Sequence, residues 1–149
     1  MSGIDECLLE AMTLPGARGA ALVEWISGLA LGRIGEAPGD DHEEMAAATA
    51  EFARSAAEHP VFTAPPAGPP ASPSAGPSAG PAAAPADAGR TPAVEDIVVT
   101  TPTAYHLLRF VEAPYEGGLF LHLWLDRGHA NLALSLLRMR ELAHKLVLA

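Results

Sequence analysis

Apolar and polar positions along this chain follow two periods, and the switches between them outline its elements. Ile4, Leu8 and Met12 recur every fourth residue, which predicts a short helix closed by Pro15-Gly16. Leu22, Val23, Trp25 and Ile26, then Leu29, Leu31 and Ile34, flank the turn signal Ser27-Gly28 and read as an antiparallel hairpin. Helical spacing returns after Pro38-Gly39-Asp40. Asp41 with Glu44 three residues on fits a capping box, and Met45, Ala48, Phe52 and Ala56 form one face, widened by Thr49 and Ala53. The residue before a proline is pushed out of the helical region, so His59-Pro60 ends a helix over 41–58.

The pattern then disappears. Between Thr63 and Ala93 lie nine of the 14 prolines, among Ala, Gly and Ser. Proline fixes φ and removes backbone donors, and no bulky apolar residue beyond the alanines is there to repay ordering entropy, so this stretch is expected to be a disordered insertion. Alternation resumes at Val94–Thr100 and continues through Ala104–Val111 and Leu119–Leu125, predicting an antiparallel meander. In the middle strand both Tyr105/Leu107/Val111 and Leu108/Phe110 are apolar sets, so it is covered on both sides or lies at an interface. In the last strand Leu119, Leu121, Leu123 and Leu125 oppose Phe120, His122 and Trp124. Asn131 is positioned to cap a closing helix whose stripe is Leu132, Leu136, Met139, Ala143 and Leu146, widened by Leu134, Leu137 and Leu142.

Neither half can bury a sufficient core alone. The economical solution is α+β: one five-stranded antiparallel sheet with three helices in the order α-β-β-α-β-β-β-α, a single domain over 1–149 interrupted by 63–93. Helices 41–58 and 131–147 are expected to cover one sheet face at most, leaving apolar surface for a second copy. Trp25, Phe110, Phe120 and Trp124 are the candidate buried anchors.

Charge narrows the partners. The net charge is −9, and residues 1–62 hold eleven acidic against three basic side chains. Such a surface is a poor match for a phosphate backbone or an anionic bilayer, so neither nucleic acid nor membrane insertion is expected. The acidic start, MSGIDECLLEAM, lacks the basic and apolar regions of a signal peptide, which points to a cytoplasmic protein.

Candidate chemistry is sparse. Cys7 is the single cysteine, and the histidines at 42, 59, 106, 122, 129 and 144 form no HExxH pattern. His106 and His122 fall on neighbouring strands, two ligands short of a zinc shell. Ser27 is not in a G-x-S-x-G turn, and helix capping explains Asp40-Asp41 and Glu43-Glu44. No catalytic residue, metal or cofactor is expected; what remains is binding by shape.

Three stretches in this order resemble the roadblock/LC7 family of small regulatory domains: LPGARGAALVEWISGLALGRIG (14–35), VEDIVVTTPTAYHLLRFV (94–111) and LFLHLWLDRGHANLALSLLRMREL (119–142). The likeness is to its bacterial, stand-alone, actinobacterial-type members. It implies a profilin-like fold and a homodimer in which the second helix and third strand meet across a two-fold axis. Carried over, the interface is Met45, Thr49, Phe52 and Ala56 with Ile97 and Val99. It also implies a non-catalytic regulator or scaffold for a small Ras-like GTPase or associated signalling protein. The alternatives are a dimeric scaffold without a GTPase and a profilin-like small-ligand sensor. Two departures stand out: the long insertion before the third strand, and Ser27-Gly28 where Asp-Gly is commoner in the family.

Overall fold

The computed structural model describes residues 2–63, 94–112 and 118–148, so the expectation of a disordered insertion over 63–93 lies outside the described residues apart from Thr63. Helix α1 (Ser2–Ala11) leads into strands β1 (Ala17–Glu24) and β2 (Leu29–Gly35), then helix α2 (His42–Glu58). Strands β3 (Asp96–Thr100), β4 (Ala104–Val111) and β5 (Leu119–Asp126) follow, and helix α3 (Leu132–Leu148) closes the chain. This is the expected order of elements.

All five strands form one antiparallel sheet in the order β2-β1-β5-β4-β3. The early hairpin and the later meander are joined by a single seam, β1 against β5, with Ala20 opposite Leu123 and Leu22 opposite Leu121.

The helices divide between the two faces, which corrects the expectation that α2 and α3 share one. Against α1 and α3 lie Leu22, Leu107, Leu121, Leu123 and Leu125, packed with Leu8, Met139 and Leu142. Against α2 lie Ala21, Val23, Leu108, Phe110 and Phe120, packed with Ala46, Ala50 and Ala53. The reason is already present in β4 and β5. Both alternate sets of side chains there are apolar, and cover on one face alone would leave Leu108, Phe110 and Phe120 in water.

Alanine sets how α2 sits. Its buried row is Ala46, Ala50, Ala53 and Ala57 with Met45, while Ala48 and Phe52 are exposed, so the inward face is turned away from the one expected around Phe52. Small side chains let the helix backbone approach the hairpin, where a Cβ added to Gly28 would stand 3.6 Å from Ala47 Cα. Gly28 has φ of 80°, a left-handed turn conformation that favours glycine. The cap holds as expected, with Asp41 Oδ1 accepting the Glu44 N–H at 3.0 Å. His59 is extended (φ −72°, ψ 130°), ending the helix before Pro60. One further helical turn, Pro60–Thr63, was not expected; proline suits a first helical position, and His59 Nδ1 accepts the Val61 N–H at 3.1 Å.

Strand β1 begins earlier and ends sooner than its bulky residues suggest. Trp25 and Ile26 lie in the turn, although the Trp25 N–H still donates to Gly118 O at 2.9 Å. The small residues Gly19, Ala20 and Ala21 extend the strand because both faces are roofed, and position overrides β-propensity. Gly19 is required by a close approach: a Cβ there would stand 1.8 Å from Glu36 O, where the chain leaving β2 crosses over. Of the four expected aromatic anchors, Phe110 and Phe120 are buried, whereas Trp25 and Trp124 are only half-buried.

Helix α3 starts under its expected cap, with Asn131 Oδ1 accepting the Leu134 N–H at 3.0 Å. Leu142 joins the core, but Leu134 and Leu137 point to solvent and do not widen the stripe. Lys145 Nζ reaches Glu10 Oε1 at 3.2 Å and ties α3 to α1.

Candidate functional site: the free flank of helix α2

At 100° per residue, positions 45, 49, 52 and 56 form a row beside the buried alanines of α2. Met45 is buried, Thr49 and Ala56 are half-buried, and Phe52 is 48% exposed. The opposite flank faces the β1–β2 hairpin, where Arg54 Nη1 donates to Ile26 O at 3.2 Å and Ala47 sits beside Gly28. The Met45–Ala56 row therefore looks the other way, over the β5-β4-β3 half of the sheet. Thr49 does not interrupt its apolar character. Its hydroxyl donates back to Met45 O at 2.8 Å, so the side-chain oxygen is satisfied within the helix.

On β3, Ile97 is opposite Leu108 and Val99 opposite His106. Directly paired residues share a face, and Leu108 belongs to the cluster under α2, so Ile97 and Val99 lie on the α2 side. Ile97 packs against the rim of that cluster and both residues are half-buried. Among the described residues β3 is also the margin of the sheet, hydrogen-bonded to β4 alone. The six positions expected to meet a second copy are thus brought to one side of the molecule: a helix flank, a strip of sheet face and an open strand edge.

The same strip holds an arrangement of rings that the sequence shows only in part. Val99, His106 and Trp124 form a row across β3, β4 and β5. His106 Nδ1 lies 3.0 Å from His122 Nε2, and the rings are nearly parallel (13°) with centroids 5.2 Å apart. Trp124, on the same strand as His122, also stacks with His106, at 6.2 Å between centroids and 9° between planes. Beyond it, Arg18 Cζ lies 4.0 Å from the Trp124 ring centroid while Arg18 Nη2 bonds Glu36 at 2.8 Å. The alternation Phe120, His122, Trp124 placed these side chains on one face; the lateral stacking depended on a register that only the assembled sheet supplies.

Burial decides the charge of this group. His122 is 1% exposed, and burial pushes its pKa down to about 3, with His106 and His42 acting in the same direction. His106 is also lowered by burial. Both rings are neutral at neutral pH, and His122 Nδ1 is enclosed without a hydrogen-bond partner among the described residues. On the other face the Cys7 thiol is pushed up to about 11, chiefly by burial with Glu10 adding to it, and donates weakly to Leu142 O at 3.8 Å. Neither is an activated nucleophile or base. Among the described residues no three His, Cys, Asp or Glu side chains converge to hold a metal ion, and no helix is long and apolar enough to cross a membrane.

No family model matches the chain, and no curated relative does. Solved structures do. MglB of Myxococcus xanthus superimposes with a TM-score of 0.69 at 12% identity, over 98% of this chain and 86% of that one. The gliding protein MglB of Thermus thermophilus gives 0.62 at 17% identity, over 98% and 87%. MglC of Myxococcus xanthus gives 0.52 at 16% identity, over 97% of both chains. At such identities the likeness establishes the fold, an α+β, roadblock/LC7-like sheet with helices on its faces.

Proposed function

We propose that this chain is a bacterial roadblock/LC7 domain that homodimerises through the free flank of α2 and the edge of β3, and in that form binds a small Ras-like GTPase or an associated signalling protein. It acts without catalysis, in the cytoplasm, by altering or reading the nucleotide state of its partner. The observation that carries the dimer is the apolar flank itself. Phe52 stands 48% exposed in a row with Met45, Thr49 and Ala56, beside Ile97, Val99 and an open strand edge. A two-fold axis normal to the sheet would pair the β3 edges antiparallel and set the two helices side by side, and an isologous contact needs only one such patch. The GTPase partner is what the sequence resemblance to the roadblock/LC7 family implies, and the fold shared with MglB agrees with that family.

Light scattering tests the first step: a mass of two chains at micromolar concentration is expected, and a single-chain mass rejects it. For the second, the protein is added to the Ras-like GTPase whose gene lies nearest its own. A change in GTP hydrolysis or nucleotide exchange is expected; no binding to the GDP or GTP state sinks the GTPase partner. One further reading loses ground. A sensor of the profilin-like kind needs a chamber between sheet and closing helix, and Leu107, Leu123, Met139 and Leu142 fill that space at 1% exposure or less.

A further inference from the structure

We infer that the His106–His122 pair makes self-association acid-labile, because the second copy packs beside two imidazoles that can share a proton but cannot accept another. The inference rests on the dimer proposed above. Its basis is the position of His106, between Val99 of the proposed interface and Trp124, on the α2 side of the sheet.

The proton count follows from the geometry. His106 Nδ1 and His122 Nε2 face each other at 3.0 Å, so one hydrogen lies between them. With both rings neutral, the second hydrogen can sit on His106 Nε2, leaving His122 Nδ1 as a bare lone pair. A third hydrogen has only His122 Nδ1 left to occupy. That atom is buried and has no acceptor, so the added proton strands an N–H in the interior or breaks the pair.

The surroundings offer no compensation. From β1 comes Arg18, on the far side of Trp124 and already paired with Glu36. From α2 comes His42, whose Nε2 donates to Gly35 O at 3.0 Å, beside uncharged Met45 and Thr49; Asp41 is engaged in its cap, and Glu43 and Glu44 are exposed. β3 contributes Val99, the turn after it uncharged Thr101, and β5 Asp126, which is engaged with His129. Among the described residues neither imidazole has a carboxylate as hydrogen-bond partner.

In a free chain His106 is half-buried and can turn its charge outward to water. Under a second copy it cannot. Burial already holds its pKa below 6.5 in the free chain and a second copy lowers it further, so association is complete at neutral pH and weakens as pH falls below the free chain's value.

The test is sedimentation velocity of the full chain at about pH 8 and about pH 5.5, with circular dichroism to verify that the fold persists. The dimer dissociation constant should rise at least tenfold in acid. His106→Phe keeps an aromatic ring that cannot take a proton and should remove most of that change; His106→Gln serves if the Phe variant misfolds. Ring-proton NMR adds a readout independent of mutation, in which His106 titrates at lower pH as protein concentration rises. An unchanged dissociation constant in acid, an equal acid loss in both variants, or a titration indifferent to concentration overturns the inference. A monomer at both pH values removes the dimer itself and this inference with it.

Discussion

Phe52 and Ala53 are neighbours in sequence and 100° apart around α2, and they meet opposite environments: Ala53 is sealed against the sheet at 0% exposure while Phe52 stands 48% exposed. The larger side chain faces outward and the smaller inward. In a monomer that arrangement leaves an aromatic ring in water; in the proposed dimer it gives each surface the side chain it needs, a small one for close packing on the hairpin and a large one for the partner.

The two positions should therefore separate folding from association. Phe52→Glu is expected to yield a single-chain mass by light scattering while changing unfolding free energy by about 0.5 kcal/mol or less. Ala53→Leu is expected to lose about 1–3 kcal/mol in urea titration, because extra methylenes have no room between helix and sheet. A dimeric Phe52→Glu protein would place the interface elsewhere.

Helix α2 depends on its cap. Asp41→Ala removes the acceptor of the Glu44 N–H and should destabilise the fold by about 1 kcal/mol, visible as a lower urea midpoint with an unchanged slope. Asp41→Asn retains an acceptor oxygen and should lose less.

Cys7 offers a pH-dependent reporter. Its folded pKa is raised from 9.0 to about 11, so folding favours the neutral thiol. That contribution is complete below about pH 9 and lost as pH rises toward 11. The melting temperature of the native chain should fall over that interval more steeply than that of Cys7→Ala. Native protein should also react with a thiol reagent at about pH 8 far more slowly than urea-unfolded protein.

The insertion is proposed to interrupt one domain. Replacing Ala64–Gly89 with a short Gly/Ser loop should leave the melting midpoint nearly unchanged, since closure entropy varies only as the logarithm of loop length. Loss of the cooperative transition would show that the segment contributes to the fold.

Much of this architecture was legible because its signals are local. Asp41 and Asn131 announced their helices by capping chemistry, and β4 matched its expected bounds of Ala104–Val111 because alternation and flanking breakers agree there. What the sequence misplaced depended on distant partners. Trp25 and Ile26 have strand-forming side chains but lie in the turn, while Gly19, Ala20 and Ala21 have weak propensity and form the strand. The division of helices between faces was implicit in the doubly apolar β4 and β5, and required reading both sets of side chains as needing cover. Of the candidate site, spacing put Met45 and Phe52 on one helix face, and only the family resemblance marked that face, with Thr49 and Ala56, as an interface. The neighbourhood of Val99, His106 and Trp124 could not, because it arises from register across three strands.

The seam between β1 and β5 sets the timetable of synthesis. β1 is complete by residue 24, yet the strand that pairs with its inner edge begins at residue 119. A chain emerging from the ribosome therefore carries an unpaired inner strand until β5 has been made. Folding must then close that long-range pairing in one late event, so this small protein is expected to fold slowly for its size and to need its C-terminal strands before any part is secure.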